Sequence, residues 1–404
     1  MPVFSLVRHG ILEDVKVANE ISMNIAIDVR NVGRQRTGSE VVVRELVRAL
    51  LAQDTRNHYF LLTDTDDPAV HAAIREKCAL DGKDNAQIVA LPSPNKFVWA
   101  AWTVWRFLRR TDVDVYHTEY IVPFFVPRRV RVLTHIHDVS FAAHPEYINW
   151  KDRLLLRLLI PRSLRRADVV IAVSQFTRDE IVRYYRVPES KVALVPNALP
   201  EHFAHTATQQ QIAAVRAKYN LPKQYIFSLG TMQPRKNIPF LVAAFARVAH
   251  EMPGVALVLS GKRAHNFDRA IDTTIARYPA VRDRIVFTGF IDDADVPAVY
   301  AGARAFAFPS LYEGFGLPLL EAMSQNVPVV ASDIPVFREV AADAAHYASP
   351  RDLVAFANAL YTVTMCSNDE RARMTRAGRA RVQAFSWRAA AQALQHLFAR
   401  NTLS

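Results

Sequence analysis

The sequence predicts an α/β protein built of two doubly wound domains, on three observations. Short runs rich in β-branched and aromatic residues alternate with helical periodicity almost from end to end. The chain has 404 residues, too many for one typical core and suited to two. The alternation also restarts after a polar, proline-bearing stretch at mid-chain. Alternating β and α elements imply parallel sheets covered by helices on both faces.

Taken in order, residues 23–29 (MNIAIDV) read as a strand and residues 38–53 as a helix with Val41, Leu46, Leu50 and neighbours on its apolar face. Residues 58–63, 130–136 and 169–174 read as further strands of the first half. Residues 225–229, 255–260, 285–288, 305–308 and 327–331 read as strands of the second half. A helix closes the chain over residues 386–399. The joining stretch, about 195–224, carries Pro196, Asn197, Pro200 and Pro222. The expected organisation is an extension over 1–22, a first domain over 23–200, a second over 201–385 and a terminal segment over 386–404.

Half the residues are hydrophobic and 22% are charged, a globular composition. The net charge of +11 suits phosphorylated ligands or an anionic membrane surface. Nucleic acid is the weaker option and is not expected as a partner, with no zinc-finger spacing, RNP-type aromatic run or basic tail in the sequence. No apolar run is long enough to span a bilayer, and residues 1–22 lack the apolar core of a signal peptide. Cys78 and Cys366 lie far apart and form no metal-ligand pattern, so they read as free thiols of a reducing compartment. The expected location is the cytoplasm, with attachment to the inner membrane face as an option.

Residues 308–323 read FPSLYEGFGLPLLEAM, a strand end, a glycine-bearing turn and a helix opened by Pro318. Such a unit exposes backbone N–H groups at the positive end of a helix, an anion site. Gly314 and Gly316 let backbone approach a ligand closely. Glu313 before the helix and Glu321 one turn inside it can accept hydrogen bonds from two hydroxyl-bearing parts of one ligand. Taken alone, the two acids read as a solvated loop charge and a favourable charge near a helix start.

The stretch YIFSLGTMQPRKNIP, residues 225–239, ends a strand at Gly230 and Thr231 and then offers Arg235 and Lys236. Two adjacent cations there suit a diphosphate and can stabilise a departing one without a metal. In IVFTGFI, residues 285–291, a strand runs into Gly289, Phe290 and Ile291. Strand termination, and a core role for Phe290, are the plainer readings. In the first domain Arg36, Thr37, Gly38 and Ser39 lie between strand and helix, where a glycine admits a phosphate or an acceptor. His135 and His137 alternate at a strand end and should point to opposite faces. No third metal ligand accompanies them, and no metal is expected. Asp64-Thr65-Asp66 reads as a turn rather than a metal site. Residues 151–166 combine leucines and arginines. The first reading is a core-packed helix with a solvated basic face, broken near Pro161; the second is a peripheral membrane contact.

The run around Glu313 and Glu321 resembles the Glu-x7-Glu motif of retaining glycosyltransferases of family 4, matching both acids, both glycines and Pro318. Residues 230–237 resemble the same family's G-T-x-x-P-R-K-N element, and HDVSFAAHPEYI, from His137, resembles its His-Asp element. Two departures are Ser39-Glu40, where a second glycine is usual, and Asn326, which also replaces a glycine. The resemblance runs from about residue 23 to 390. It implies the GT-B fold, two Rossmann-like domains facing a cleft, with the last helix crossing back to the first.

It also implies a nucleotide-sugar donor as substrate, no cofactor, and retention at the anomeric carbon. Glu313 would contact the donor sugar and Glu321 the ribose, with the amides of Phe315, Gly316 and Leu317 near sugar or phosphates and Gly289, Phe290 and Ile291, in a run that looks like the family's loop beside the base, as candidates for base contacts. His137 would approach the donor sugar, and Asp138 would orient the loop or the acceptor. Similarity to bacterial O-antigen and exopolysaccharide mannosyltransferases suggests GDP-mannose as donor and a glycan or lipid-linked acceptor. UDP- or dTDP-sugars, and a catalytically inactive sugar-nucleotide-binding partner protein, are the alternatives.

Overall fold

The computed structural model describes residues 22–34, 38–261 and 267–399. Arg36, Thr37 and all but the last residue of the expected 1–22 extension lie outside them. The chain divides into two compact units, one holding the chain to His135, Arg162–Val170 and the stretch from Ala391, the other Ile136–Pro161 and Ile171–Ala390.

Seven strands form the first sheet: β1 (Asn24–Asp28), β2 (His58–Thr63), β3 (Ala86–Ala90), β4 (Val115–Glu119), β5 (Arg131–Ile136), β6 (Val169–Ala172) and β7 (Val192–Leu194). Their order is β3-β2-β1-β4-β5-β6-β7, and the pairs from β3 to β5 are parallel. Six strands form the second: β8 (Gln224–Leu229), β9 (Val255–Ser260), β10 (Ile285–Gly289), β11 (Ala305–Phe308), β12 (Val329–Ser332) and β13 (His346–Ala348). Their order is β10-β9-β8-β11-β12-β13, parallel throughout. Both sheets thus wind outward from a central strand in the dinucleotide-fold order, which reverses beside β1 in one and beside β8 in the other.

The period-two arrangement of side chains explains the second sheet's two cores. Phe306 and Phe308 of β11 join Phe227, Val258 and Val329 on one face. Ala305 and Ala307 join Ile226, Leu257, Leu259 and Val330 on the other. Strands buried on both faces are why these runs read as continuous apolar stretches rather than alternating ones. In the first unit, helix Gly38–Gln53 buries Val42, Val43, Leu46, Val47, Leu50 and Leu51, while Val41 lies at the edge of that face.

Two local expectations change. Helix Trp150–Arg166 runs on through Pro161 instead of breaking there. Just beyond it, Arg162 donates to the carbonyls of Val122, Pro123 and Phe124, and the Ser163 hydroxyl accepts from the Val122 amide at 3.0 Å, contacts that offset the lost helical bond. The helix after the glycine turn begins at Leu317, so Pro318 is its second residue. Asn326 takes φ 59°, a left-handed turn that asparagine tolerates, which explains how it can stand where a glycine is usual. The chain bends at Asp64 and runs as a loop through Thr65 and Asp66 to Asp67, which caps helix Pro68–Lys77 through the Ala69 amide.

Candidate functional site

In a doubly wound sheet, the loops after the strands flanking the order reversal diverge and leave room for a ligand at their carboxyl ends. In the second sheet those strands are β8 and β11. The loop after β8 carries Arg235 and Lys236 on one short helical turn, Pro234–Lys236. The loop after β11 carries Glu313. The fold therefore brings together three residues that the sequence separates by nearly eighty positions.

The three form one ionic cluster. Lys236 Nζ donates to Glu313 Oε1 at 2.5 Å, and Arg235 Nη1 donates to Glu313 Oε2 at 2.8 Å. The Ser310 hydroxyl donates to the same Oε1 at 2.8 Å. Lys236 and Glu313 are only 9% and 8% exposed, and the ammonium lies 4.9 Å from the Phe308 ring centroid. Burial pushes the Glu313 carboxyl up, but Arg235 and Lys236 outweigh it and hold it at about 2. Two cations meet on one carboxylate, with Asp138 also acting on Lys236 through space, and such charged donors suit an anionic group.

Backbone ties fix the two loops to each other. The Leu311 amide donates to the Arg235 carbonyl at 2.8 Å. Asn237 donates from its side chain to the carbonyls of Pro309 and Pro350. Gly230 adjoins the Lys236 side chain, so that a Cβ there would lie 3.3 Å from Cε. Gly289 ends β10, and its carbonyl accepts from the Gly261 amide and the Ser260 hydroxyl.

Gly314 faces protein. A Cβ at Gly314 would lie 1.7 Å from the His137 carbonyl oxygen and 2.8 Å from Asp138 Cβ. The Gly314 carbonyl in turn accepts from the hydroxyls of Ser174, at 2.6 Å, and Thr177, at 2.9 Å. Ser174 also caps helix Gln175–Tyr185. Asp138 accepts from the amide and hydroxyl of Ser140, so its carboxylate shapes the loop that follows β5. Tyr312 packs between His144 and Phe176, with ring centroids 5.2 and 5.5 Å away. The His137 segment and the Glu313 loop are therefore neighbours. His135, by contrast, is buried in β5, with its ring 5.7 Å from that of His117.

Glu321 accepts from the Tyr300 hydroxyl at 2.8 Å. Burial pushes its carboxyl up to about 7, against the Tyr300 bond that lowers it. Phe315 packs edge-on against Phe385 in the core, where Ile291 is also buried, and Leu317 packs against that core from the helix start. These three residues have backbone, more than side chain, to offer a ligand. Phe290 and Thr231 are half-buried. In the first unit Gly38 is exposed at the first position of its helix, with open space where a Cβ would stand. Glu40 turns away from that opening, accepting from the Gly33 amide and from Lys77.

Sequence reasoning missed Ser310, Tyr300, Ser174, Thr177 and Gly261. Ser174 carried a signal, an N-cap serine before a helical segment. Gly261 followed a strand as Gly230 does, and a Cβ there would lie 1.9 Å from the Gly230 carbonyl oxygen. Ser310 and Tyr300 act through a third residue, which no spacing reveals.

Two dinucleotide-type sheets, one with Arg235 and Lys236 gathered on Glu313 beside its strand-order reversal, are the frame in which similarity to known proteins specifies a glycosyltransferase. Residues 36–202 match Glycosyltransferase Family 4, and residues 223–365 match Glycosyl transferases group 1. O-antigen chain mannosyltransferase B of Escherichia coli is 35% identical over 298 residues, 73% of this chain and 74% of that one. Sucrose-phosphate synthase from Thermosynechococcus elongatus superposes with a TM-score of 0.72 at 23% identity, covering 93% of this chain and 98% of the other. The Anabaena protein HepE, solved with UDP-glucose, gives 0.68 at 18%, covering 93% and 99%. The chain belongs to glycosyltransferase family 4 and has the GT-B fold.

Proposed function

We propose that the protein transfers mannose from GDP-mannose, with retention and without a metal ion, to a hydroxyl of a glycan or lipid-linked acceptor in cell-surface polysaccharide synthesis. The clamp of Lys236 and Arg235 on Glu313 carries the reading. The Glu313 carboxylate engages both cations. A bound diphosphate competes for them and frees Glu313 to accept hydrogen bonds from sugar hydroxyls. Glu321 accepts from the ribose, and His137, held by its backbone beside Gly314, approaches the sugar.

Arg235 and Lys236 then stabilise the charge that grows on the leaving diphosphate as the bond from C1 to phosphate oxygen breaks. The acceptor oxygen bonds C1 from the same face, and its proton passes to that phosphate oxygen. The protein contributes orientation and electrostatics rather than a covalent nucleophile. Mannose is chosen for the similarity to the Escherichia coli mannosyltransferase. The likeness to HepE with UDP-glucose keeps UDP-sugars as the competing donors.

Radiolabelled GDP-, UDP- and dTDP-sugars, offered with lipid-linked acceptors in the presence of a chelator, test the proposal. Transfer from GDP-mannose alone, giving an α-linked product by NMR, is expected. Transfer from another donor changes the donor. A β-linked product overturns retention, and loss of activity with chelator overturns metal independence. Nucleotide binding without transfer from any donor identifies an inactive binding protein.

A further inference from the structure

Helix Trp150–Arg166 has two kinds of apolar side chain. Ile160 and Leu164 are buried, as in a core-packed helix. Trp150, Leu154 and Leu158 are not: they are 70%, 54% and 65% exposed. Their spacing of four places them on one stripe, about 12 Å long. With about 100° between successive residues, Arg153 and Arg157 border the stripe on one side and Lys151 on the other. All three cations are exposed. Asp152, the one acid on this helix, points away from the stripe and exchanges hydrogen bonds with Asn149.

Water gains nothing from the stripe, and a protein core would reject the bordering cations. A second copy of the chain, related by a two-fold axis, would bring like charges face to face. The headgroup region of an anionic bilayer satisfies both halves: acyl chains take the leucines, the interface takes the tryptophan, and lipid phosphates take the lysine and arginines. The net charge of +11 draws the chain toward such a surface.

We propose that Trp150, Leu154 and Leu158 dock this protein on anionic membrane, with the helix axis in the bilayer plane and Lys151, Arg153 and Arg157 on the headgroups. This goes beyond the transfer reaction and stands whichever donor is used.

Co-sedimentation of the full chain with vesicles of phosphatidylcholine, with and without phosphatidylglycerol, tests it. Binding is expected only with phosphatidylglycerol, and should weaken with salt. Tryptophan emission should shift to the blue on binding, and Trp150→Phe should remove most of that shift. The pair Leu154→Ser with Leu158→Ser should weaken binding by about a hundredfold. Replacing Lys151, Arg153 and Arg157 by Gln should do the same, at about fivefold per cation. The side chains are exposed, so these variants should keep the melting temperature and nucleotide binding of the parent. Failure of the parent to bind phosphatidylglycerol vesicles overturns the proposal, as does equal binding by the stripe variants. Self-association that the leucine variants abolish, with no vesicle binding, assigns the stripe to a second copy.

Discussion

Lys236 and Glu313 meet at 2.5 Å with about nine-tenths of each side chain buried, and Arg235 holds the other carboxylate oxygen. Removing one member of a buried pair costs more than the pair contributes, because a charge is left uncompensated. Here the cost is unequal. In Lys236→Ala, Glu313 keeps Arg235 and Ser310, so the loss of stability should fall at or below about 3 kcal/mol. Turnover should still fall by roughly a hundredfold or more, because a charge-stabilising group is gone. Urea unfolding and steady-state kinetics check both.

Glu313→Gln separates binding from turnover. It releases Arg235 and Lys236 from their internal partner. Affinity for a free nucleoside diphosphate should hold or rise, while turnover drops by about a hundredfold. Calorimetric titration of the variant decides this. A folded variant that no longer binds the nucleotide would remove the proposed exchange of partners.

Glu313 and Glu321 shift in opposite directions, so they bend stability oppositely with pH. The Glu313 carboxyl is held at about 2, below its unfolded value near 4.5. Its contribution is complete above that value and is lost as pH falls through the interval. Glu321 is raised from 4.5 to about 7. Between those values the unfolded state gives up its proton first, so stability falls as pH rises from 4.5 to 7. Glu321→Gln should flatten the curve over that range. Chemical denaturation at a series of pH values measures it.

Tyr300→Phe removes the hydroxyl that donates to Glu321. Without that bond the carboxyl should rise further and be more fully protonated at neutral pH. Nucleotide affinity should then fall more at neutral than at alkaline pH, by roughly tenfold or more, the worth of a hydrogen bond to a charged group. A loss of equal size at both values would assign Tyr300 a packing role only.

Gly314→Ala should be poorly tolerated although the side chain is small. The added carbon would enter the space of the His137 carbonyl, and two backbone segments must part to admit it. Overpacking of this kind costs about 1–3 kcal/mol. The shift should also move Glu313, so turnover should fall further than the melting temperature alone explains.

Strands such as β2, β9 and β11, and helix Gly38–Gln53, fall where periodicity places them, because burial on two faces or one leaves a distinct pattern. The acids and the cations were legible as candidates from local chemistry and from the family motif. Their mutual contact was not, since Lys236 and Glu313 lie 77 positions apart. Ser310 and Tyr300 were illegible for a related reason: each matters only through the carboxylate it touches. The leucine helix misled in part. Its composition suited a core, and only the placement of Trp150, Leu154 and Leu158 shows which of its apolar residues face outward.

The hydroxyls of Ser174 and Thr177 reach the Gly314 carbonyl across 140 and 137 positions of sequence. Closing so long a loop is slow compared with forming local helices and turns. The carboxylate loop should therefore be among the last parts of the chain to reach its final shape during refolding. A newly made molecule would acquire its secondary structure well before it acquires any capacity for catalysis.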